Sequence, residues 1–222
     1  MIERLLIVGY GSIGKRHARL ARDFFPNAKI IILRHKISGK IKNKYIDHSV
    51  THLKDALKFK PQIAVIANPA SCHLNIANSL ADLGVHLLIE KPLSNSSKNI
   101  LKLINKCNLK KSILLVGYNL RYMESLIKFR EILKKNRIGK ILSVRSEVGS
   151  YLPSWRPYVD YKKSVSARKT LGGGVLLELS HDIHYLYWLF GNVKWVNSTI
   201  HKQSDLKIDT EDTAYITFGF SG

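Results

Sequence analysis

Two short stretches of the sequence carry side chains suited to charge stabilisation and proton transfer. The first is Glu90-Lys91-Pro92, which directly follows an apolar run. Lys91 could donate a hydrogen bond to a substrate oxygen and stabilise the negative charge that develops there, and Glu90 could hold Lys91 as an ion pair. An exposed Glu–Lys pair in a turn, which contributes little to stability, explains the same residues. Both interpretations stay open at this point.

The second stretch is a helical pattern from Val175 to Phe190. Its polar residues at spacings i, i+3, i+4 and i+7 share one helix face, and these are Glu178, His181, Asp182 and Tyr185, with His184 nearby. A histidine oriented by a carboxylate suits proton removal from an alcohol; a solvated polar face is the alternative. Glu178-x-x-His181 also matches half of a di-iron helix. No second such helix is visible in the sequence, so no metal site is expected.

Glycines follow the first apolar run in the spacing typical of a dinucleotide-binding turn. Leu5–Val8 should form a buried strand, and Gly-x-Gly-x-x-Gly leads from it into a helical pattern. The first glycine permits a tight turn, the second lets a pyrophosphate approach the backbone, and the third lets helix and strand pack closely. The helix N-terminus adds unpaired N–H groups. A purely structural strand–turn–helix is the alternative. The expected phosphate-binding residues are Gly9, Gly11, Ser12, Ile13 and Gly14.

Further apolar runs alternate with helical patterns as far as about residue 119. They are 29–33, 63–67, 85–89 and 112–116. This alternation predicts a doubly wound parallel sheet, in which ligands lie beyond the carboxyl ends of the strands. Polar residues follow those ends, and we expect them on one rim of the sheet. They are Arg34, Asn68, Glu90, Lys91 and Asn119.

The basic triplet Arg34-His35-Lys36 bears on the choice of cofactor. An acid after the second strand would bind the ribose hydroxyls of NAD, whereas an arginine accommodates the 2′-phosphate of NADP. The triplet contains no carboxylate. NADP(H) is therefore expected over NAD(H), with Arg34 and His35 as ligands. A basic loop that merely reflects a lysine-rich composition is the alternative.

From about residue 120 the pattern changes to α+β. A long irregular segment, 151–171, is rich in aromatic and basic residues, among them Trp155, and loops of this length are usually functional. The predicted elements are a helix from Met123 to Lys135, one helix from Val175 to Phe190, and strands over 140–150, 193–200 and 213–220. We therefore expect two domains, 1–119 with a parallel sheet and 120–222 with a mostly antiparallel one.

Composition narrows the class of protein. The 222 residues suffice for one large domain or two smaller ones. No apolar run reaches the roughly 18 residues of a membrane helix, and Cys72 and Cys107 give neither a disulfide framework nor a metal spacing. A cytoplasmic protein without a membrane partner is expected. The net charge of +20 would suit a nucleic-acid binder, but no tail or motif concentrates the lysines. We expect a solvated basic surface that attracts anionic ligands, and no nucleic-acid partner.

The motifs together resemble the glucose–fructose oxidoreductase / inositol dehydrogenase (Gfo/Idh/MocA) family. They are Gly9-x-Gly11-x-x-Gly14-x-x-His17, Asn68-Pro69 with His73, Glu90-Lys91-Pro92, and Gly172-Gly173-Gly174…His181…Trp188-Leu189…Gly191. The resemblance implies an NAD(P)-dependent oxidoreductase that acts mainly on sugars and polyols. It further implies an α/β chain with a Rossmann doubly wound parallel sheet, followed by an α+β domain. The mostly antiparallel open sheet of that domain would make the contact of a homo-oligomer.

The resemblance also assigns roles to single residues. Lys91 would be the catalytic lysine and His181 the acid–base histidine, while Asn68, Pro69, His73 and Glu90 would join the cofactor site. The expected substrate-binding residues are Tyr118, Asn119, Arg121, Trp155, Asp182 and His184.

The chain departs from the family pattern in three ways. The usual aspartate four residues before the histidine is Leu177 here, so Glu178 would take the carboxylate role, and His184 stands where an aspartate is common. The chain is also shorter than family members, so its second sheet is expected to be incomplete. Missing strands would leave an unpaired sheet edge.

These observations lead to one expected function and two alternatives. The expected function is hydride transfer between NADP(H) and a sugar, polyol or sugar derivative, with His181 exchanging the hydroxyl proton, Lys91 steadying the oxygen and Glu178 orienting one of them. One alternative is an NAD-dependent glycoside hydrolase of the same family, which the basic triplet disfavours. The other is a catalytically inactive dinucleotide-binding remnant, which His184 and the short second domain suggest.

Overall fold

The computed structural model describes residues 1–35 and 43–221. The chain divides into two compact units, Met1–Gly117 (unit 1) and Tyr118–Gly222 (unit 2). Lys36, the last member of the basic triplet, lies outside the described residues.

Unit 1 is built on a parallel six-stranded sheet. Its strands are β1 (Arg4–Val8), β2 (Lys29–Leu33), β3 (His48–Val50), β4 (Ile63–Ile66), β5 (His86–Ile89) and β6 (Leu114–Val116). The helices are α1 (Ser12–Phe24), α2 (Leu53–Leu57), α3 (His73–Ala81) and α4 (Ile100–Leu109). The strand order is β3-β2-β1-β4-β5-β6, so the chain reverses direction across the sheet between β1 and β4. This confirms the predicted doubly wound sheet and puts its switch point beside the glycine turn.

The apolar runs form these strands because both faces of the sheet are covered. Side chains alternate along each strand, and Leu6 and Ile31 pack in one core cluster while Ile7 and Ile32 pack in the other. All four are fully buried. Burial of such a side chain contributes about 1.5–3 kcal/mol, so the strands hold their carboxyl ends firmly in register.

Strand β3 was not expected from the sequence. It has three residues, it contains no apolar run, and it pairs with the edge of β2 from Ile31 to Leu33. A short edge strand of this kind forms because a neighbour offers an unpaired edge, which local composition does not reveal.

Unit 2 contains α5 (Glu124–Lys134), α6 (Val175–Glu178) and α7 (Ser180–Phe190), followed by β7 (Val193–His201) and β8 (Thr213–Phe220). The two strands form an antiparallel pair, which confirms the predicted α+β class. Among the described residues, no helix of either unit is long and apolar enough to cross a membrane.

Two predictions for unit 2 were wrong. Residues 140–150 belong to no strand, although they alternate in polarity, because alternation produces a strand only where a partner supplies hydrogen bonds. The predicted helix from Val175 to Phe190 is interrupted at Leu179. There Ser180 Oγ donates to the Leu177 carbonyl at 3.0 Å, and a side-chain bond of this kind competes with the helical ladder.

Candidate functional sites in the two units

The glycine turn after β1 combines tight packing with open space. Gly9 has φ +91, and a Cβ there would stand 2.7 Å from the Ala67 carbonyl oxygen. A Cβ on Gly14 would collide with the Gly9 carbonyl. A Cβ on Gly11, in contrast, would meet nothing within 4 Å. Helix α1 begins directly afterwards, at Ser12 and Ile13. Its first N–H groups have no partner within the helix, so this space suits a phosphate.

Arg34 follows β2 and lies near the glycine turn. Its backbone N–H donates to the Val50 carbonyl at 3.0 Å, which ties it to β3. Burial raises the pKa of Tyr10, the residue between the first two glycines, and the positive charge of Arg34 partly opposes that rise. The two side chains are therefore close enough to interact. His35 is exposed.

The first carboxylate after β2 is already engaged in the fold. Asp47 Oδ2 accepts hydrogen bonds from Arg22 Nη2 and from the Ile30 backbone N–H, each at 2.7 Å. Among the described residues, Arg34 and His35 directly follow β2. The first acid after them, Asp47, is hydrogen-bonded to Arg22 and to the Ile30 N–H.

The end of β4 is connected to the segment after β5 through a buried histidine. His73 is 1% exposed, and its ring nitrogens lie 2.8 Å from the Asn68 carbonyl oxygen and 3.0 Å from that of Pro92. Burial lowers the pKa of His73, although both carbonyls favour the protonated ring. His73 therefore supports the neighbouring loop, with Pro69 inside it, and direct contact with a cofactor stays a prediction. Asn68 Oδ1 is buried and has no hydrogen-bond partner among the described residues.

Glu90 is held by His17, a motif residue to which the sequence analysis assigns no role. His17 Nε2 on α1 donates to Glu90 Oε1 at 2.7 Å, and the Lys91 backbone N–H donates to Glu90 Oε2 at 3.3 Å. Burial raises the pKa of Glu90, but the hydrogen bond and charge of His17, together with Lys91, bring it below its ordinary value. Glu90 is therefore a carboxylate at neutral pH. Lys91 is half-buried, and its bond to Pro92 is cis.

Two histidines of α7 pack around a tyrosine in unit 2. The Tyr118 ring stacks on His184, with ring centroids 4.1 Å apart and planes 2° from parallel. It meets His181 edge-on, with centroids 5.7 Å apart. Burial lowers the pKa of His184, and the charges of Arg121 and His181 lower it further. His184 is therefore neutral at neutral pH, so it does not replace the charge of the aspartate common at this position in the family pattern.

An arginine pair flanks Trp188, one turn further along α7. Arg130 Cζ lies 4.4 Å and Arg121 Cζ 5.8 Å from the Trp188 ring centroid, both within cation–π range. Arg121 comes from the 3₁₀ turn Asn119–Tyr122, where Asn119 is exposed. Arg130 lies on α5 and Trp188 on α7. Helix periodicity shows which face of each helix a residue occupies, but it does not show that these two faces meet.

The predicted polar face of the long helix is divided in the structure. His181 and His184 face Tyr118, whereas Asp182 interacts with Tyr185, whose hydroxyl lies 2.5 Å from Ser146 Oγ. Glu178 belongs to α6, because of the break at Leu179. The helix predicted to carry both Glu178 and His181 is thus interrupted between them, and the orienting role of Glu178 stays a prediction.

Glu178 lies beside a second carboxylate that the sequence did not single out. Glu178 Oε1 accepts from Ser166 Oγ at 2.9 Å. Glu211 accepts from the Leu176 N–H at 3.3 Å and covers Gly174, whose φ is +108. Both carboxylates and Trp155 line a cavity of about 330 Å³ in unit 2. Glu211 and α6 are far apart in sequence, so no local pattern pairs them. No cluster of three or more metal-ligating side chains occurs within the described ranges.

Two family models cover most of the chain. Residues 4–118 match "Oxidoreductase family, NAD-binding Rossmann fold", and residues 126–222 match "GFO/IDH/MocA C-terminal domain".

Several relatives are named as dehydrogenases of sugars or polyols. The levoglucosan dehydrogenase of Pseudarthrobacter phenanthrenivorans is 28% identical over 61% of this chain and 34% of its own length. The scyllo-inositol 2-dehydrogenase (NADP(+)) of Bacillus subtilis is 20% identical over 96% of this chain and 59% of its own length. A solved levoglucosan dehydrogenase, in complex with NADH and levoglucosan, superposes with a TM-score of 0.81 at 22% identity.

That solved structure is covered over 64% of its length and this chain over 99%. The similarity at this identity establishes the fold. In each of these comparisons the chain spans less than two thirds of the relative's length.

Proposed function

Because the chain belongs to the GFO/IDH/MocA oxidoreductase family, we propose that it exchanges hydride between a nicotinamide dinucleotide and a sugar, polyol or sugar derivative. The observation that carries the proposal is the open space in front of Gly11 at the start of α1, at the switch point of a parallel sheet. A pyrophosphate bound there would meet backbone N–H groups and the positive end of the helix dipole.

The residues of unit 1 suit such a cofactor. Bound nicotinamide would supply the chemistry by accepting or releasing hydride. Asn68 Oδ1 offers a buried acceptor without a partner among the described residues, which a ribose hydroxyl would satisfy. Lys91, next to an ionised Glu90, would steady the substrate oxygen.

We further propose a preference for NADP(H). Arg34 lies close to Tyr10 of the glycine turn, and Asp47 is bound to Arg22 and to the Ile30 N–H. An arginine at this position accommodates a 2′-phosphate. The relatives include a protein named for NADP(+) and one solved with NADH, so the preference rests on this chain's own residues.

The residue proposed to transfer the proton lies in unit 2. His181 would exchange it with the substrate hydroxyl, because an imidazole titrates near neutrality. Glu178, bound to Ser166, would act on the substrate or on His181 as a carboxylate. If Lys91→Ala and His181→Ala both keep full sugar-dependent turnover, these roles are wrong. A loss of about 100-fold or more in kcat from each is expected for groups that assist proton transfer.

Parallel titrations with NADPH and NADH test the cofactor preference. We expect the wild type to bind NADPH at least about tenfold more tightly, a difference of about 1.4 kcal/mol. Arg34→Gln should remove that preference and leave NADH binding unchanged. Arg19→Gln, an exposed position on α1, is the charge-matched control. Equal affinities in the wild type would contradict the NADP(H) preference, and the absence of binding to either dinucleotide would contradict the function.

A further inference from the structure

Unit 2 concentrates positive and protonatable groups around one aromatic stack. Arg121 and Arg130 lie against Trp188, and Arg121 acts electrostatically on His184. His184 in turn stacks on Tyr118. These side chains come from three separate segments, so the concentration of charge does not follow from a basic run in the sequence.

The described part of unit 2 gives this cluster no counter-ion. Its ion pairs join Lys128 to Glu131, Arg145 to Glu147 and Lys163 to Asp160. Asp182, the carboxylate on α7, interacts with Tyr185. Within residues 118–221 no carboxylate pairs with Arg121. Arg130 Nε is buried and has no hydrogen-bond partner among the described residues.

Arg121 is well placed to contact a ligand. It is exposed, whereas Arg130 is half-buried. A guanidinium that lies over an aromatic ring still directs its N–H groups outward, in a fork that matches carboxylate and phosphate oxygens. Trp188 restricts the arginine, which lowers the entropy lost on binding.

We propose that Arg121 binds an anionic group, a carboxylate or a phosphate, carried by the sugar, and that the substrates are acidic sugar derivatives. This inference rests on the proposed function and specifies its substrate class. Neutral His184 cannot supply the positive charge at neutral pH, so Arg121 carries the recognition, with Arg130 raising the local potential.

Isothermal titration at fixed ionic strength and saturating NADPH tests this proposal. The probes are a hexuronic acid, the corresponding hexose 6-phosphate and the neutral hexose. We expect at least one acidic probe to bind about tenfold or more tightly than the neutral hexose, which is about 1.4 kcal/mol. The two acidic probes distinguish carboxylate from phosphate recognition.

Variants then assign the effect to Arg121. Arg121→Gln should lose the preference for the acidic probe and keep the affinity for the neutral hexose. Arg121→Lys, which keeps the charge but loses the fork, should retain part of the preference. Arg137→Gln removes one charge from an exposed position of unit 2 and should stay within about twofold of the wild type, since the charge of an exposed side chain is largely screened by salt.

Three outcomes would overturn the proposal. They are equal affinities for the acidic and neutral probes, an equal loss in Arg121→Gln and Arg137→Gln, and a change in tryptophan fluorescence in Arg121→Gln without any change in affinity. The last outcome would mean that Arg121 only packs on Trp188. Turnover measurements separate this from the proposed function: no hydride transfer to any sugar would overturn that function, whereas turnover confined to neutral sugars would overturn only the substrate class.

Discussion

The two units bury their hydrophobic residues very differently. Unit 1 holds two core clusters, one on each face of its sheet. Among the described residues of unit 2, the one buried hydrophobic residue is Ala167, and β7 is exposed along its whole length. Unit 1 is thus stabilised by burial, whereas unit 2 depends on aromatic, cation–π and hydrogen-bonded contacts. The proposed cofactor site lies in unit 1, and the residue proposed for proton transfer lies in unit 2.

Core substitutions should affect the two units unequally, and this is the largest effect we expect. Ile31→Ala removes a fully buried side chain of unit 1 and should cost about 2–5 kcal/mol. Ile200→Ala, at a position of β7 that is 42% exposed, should cost under about 1 kcal/mol. Urea unfolding followed by far-UV circular dichroism measures both.

Tryptophan fluorescence tells whether the units unfold separately. The three tryptophans, Trp155, Trp188 and Trp195, all lie in unit 2. We expect Ile31→Ala to shift the circular dichroism transition more than the fluorescence transition. Identical shifts in both signals would mean that the units unfold together, and the energetic contrast between them would then be lost.

The glycine turn offers a smaller, matched pair of substitutions within unit 1. A Cβ on Gly14 would collide with backbone, so Gly14→Ala should cost about 1–3 kcal/mol through overpacking. Gly11 has φ −72, an ordinary value, and open space around it. Gly11→Ala should leave stability within about 0.5 kcal/mol and weaken dinucleotide binding. Urea unfolding and NADPH titration separate the two effects; an equal loss of stability in both variants would refute the steric argument.

The same contrast explains how much of the fold the sequence could predict. Strands β1 and β2 were recognisable because uninterrupted apolar runs form wherever a parallel sheet is covered on both faces. Strand β3 was not, because it forms on an edge supplied by β2. In unit 2 the alternating polarity of residues 140–150 suggested a strand, but these residues form none. A strand needs a partner strand for its backbone hydrogen bonds, and that partner can be distant in sequence. The oligomer contact expected through this sheet likewise stays a prediction.

The candidate sites follow a similar rule. Residues such as Gly11 and Lys91 could be proposed from the sequence, because motif spacing and the ends of strands predict where they lie. His17 beside Glu90 and Glu211 beside Gly174 could not, because each pair joins segments far apart in the chain. Helix periodicity linked Glu178 to His181, whereas the structure interrupts the helix at Leu179, between them. Contacts between distant segments therefore determine which side chains lie together, and a single sequence does not reveal these contacts.

The smallest effect we expect is a loss of stability on acidification, to which one histidine in each unit contributes. Burial is the main cause that lowers the pKa of His73 in unit 1 and of His184 in unit 2 from the ordinary 6.5. Below pH 6.5 the unfolded chain therefore binds protons that the folded chain refuses. The free energy of unfolding is fully retained above that pH and falls as the pH drops through it, by at most about 1.4 kcal/mol per pH unit for each group.

His184→Phe separates the contribution of unit 2 from that of unit 1. Phenylalanine keeps a flat ring to stack on Tyr118 but cannot take up a proton. Between pH 7.5 and 5.5 we expect the tryptophan-monitored unfolding of this variant to lose less stability than that of the wild type. His73 in unit 1 is intact in this variant, so the pH dependence of unfolding followed by circular dichroism should change little. If the variant and the wild type lose equal stability by fluorescence, the stack with Tyr118 does not exclude the proton, and partial burial in unit 2 has no energetic consequence at this site.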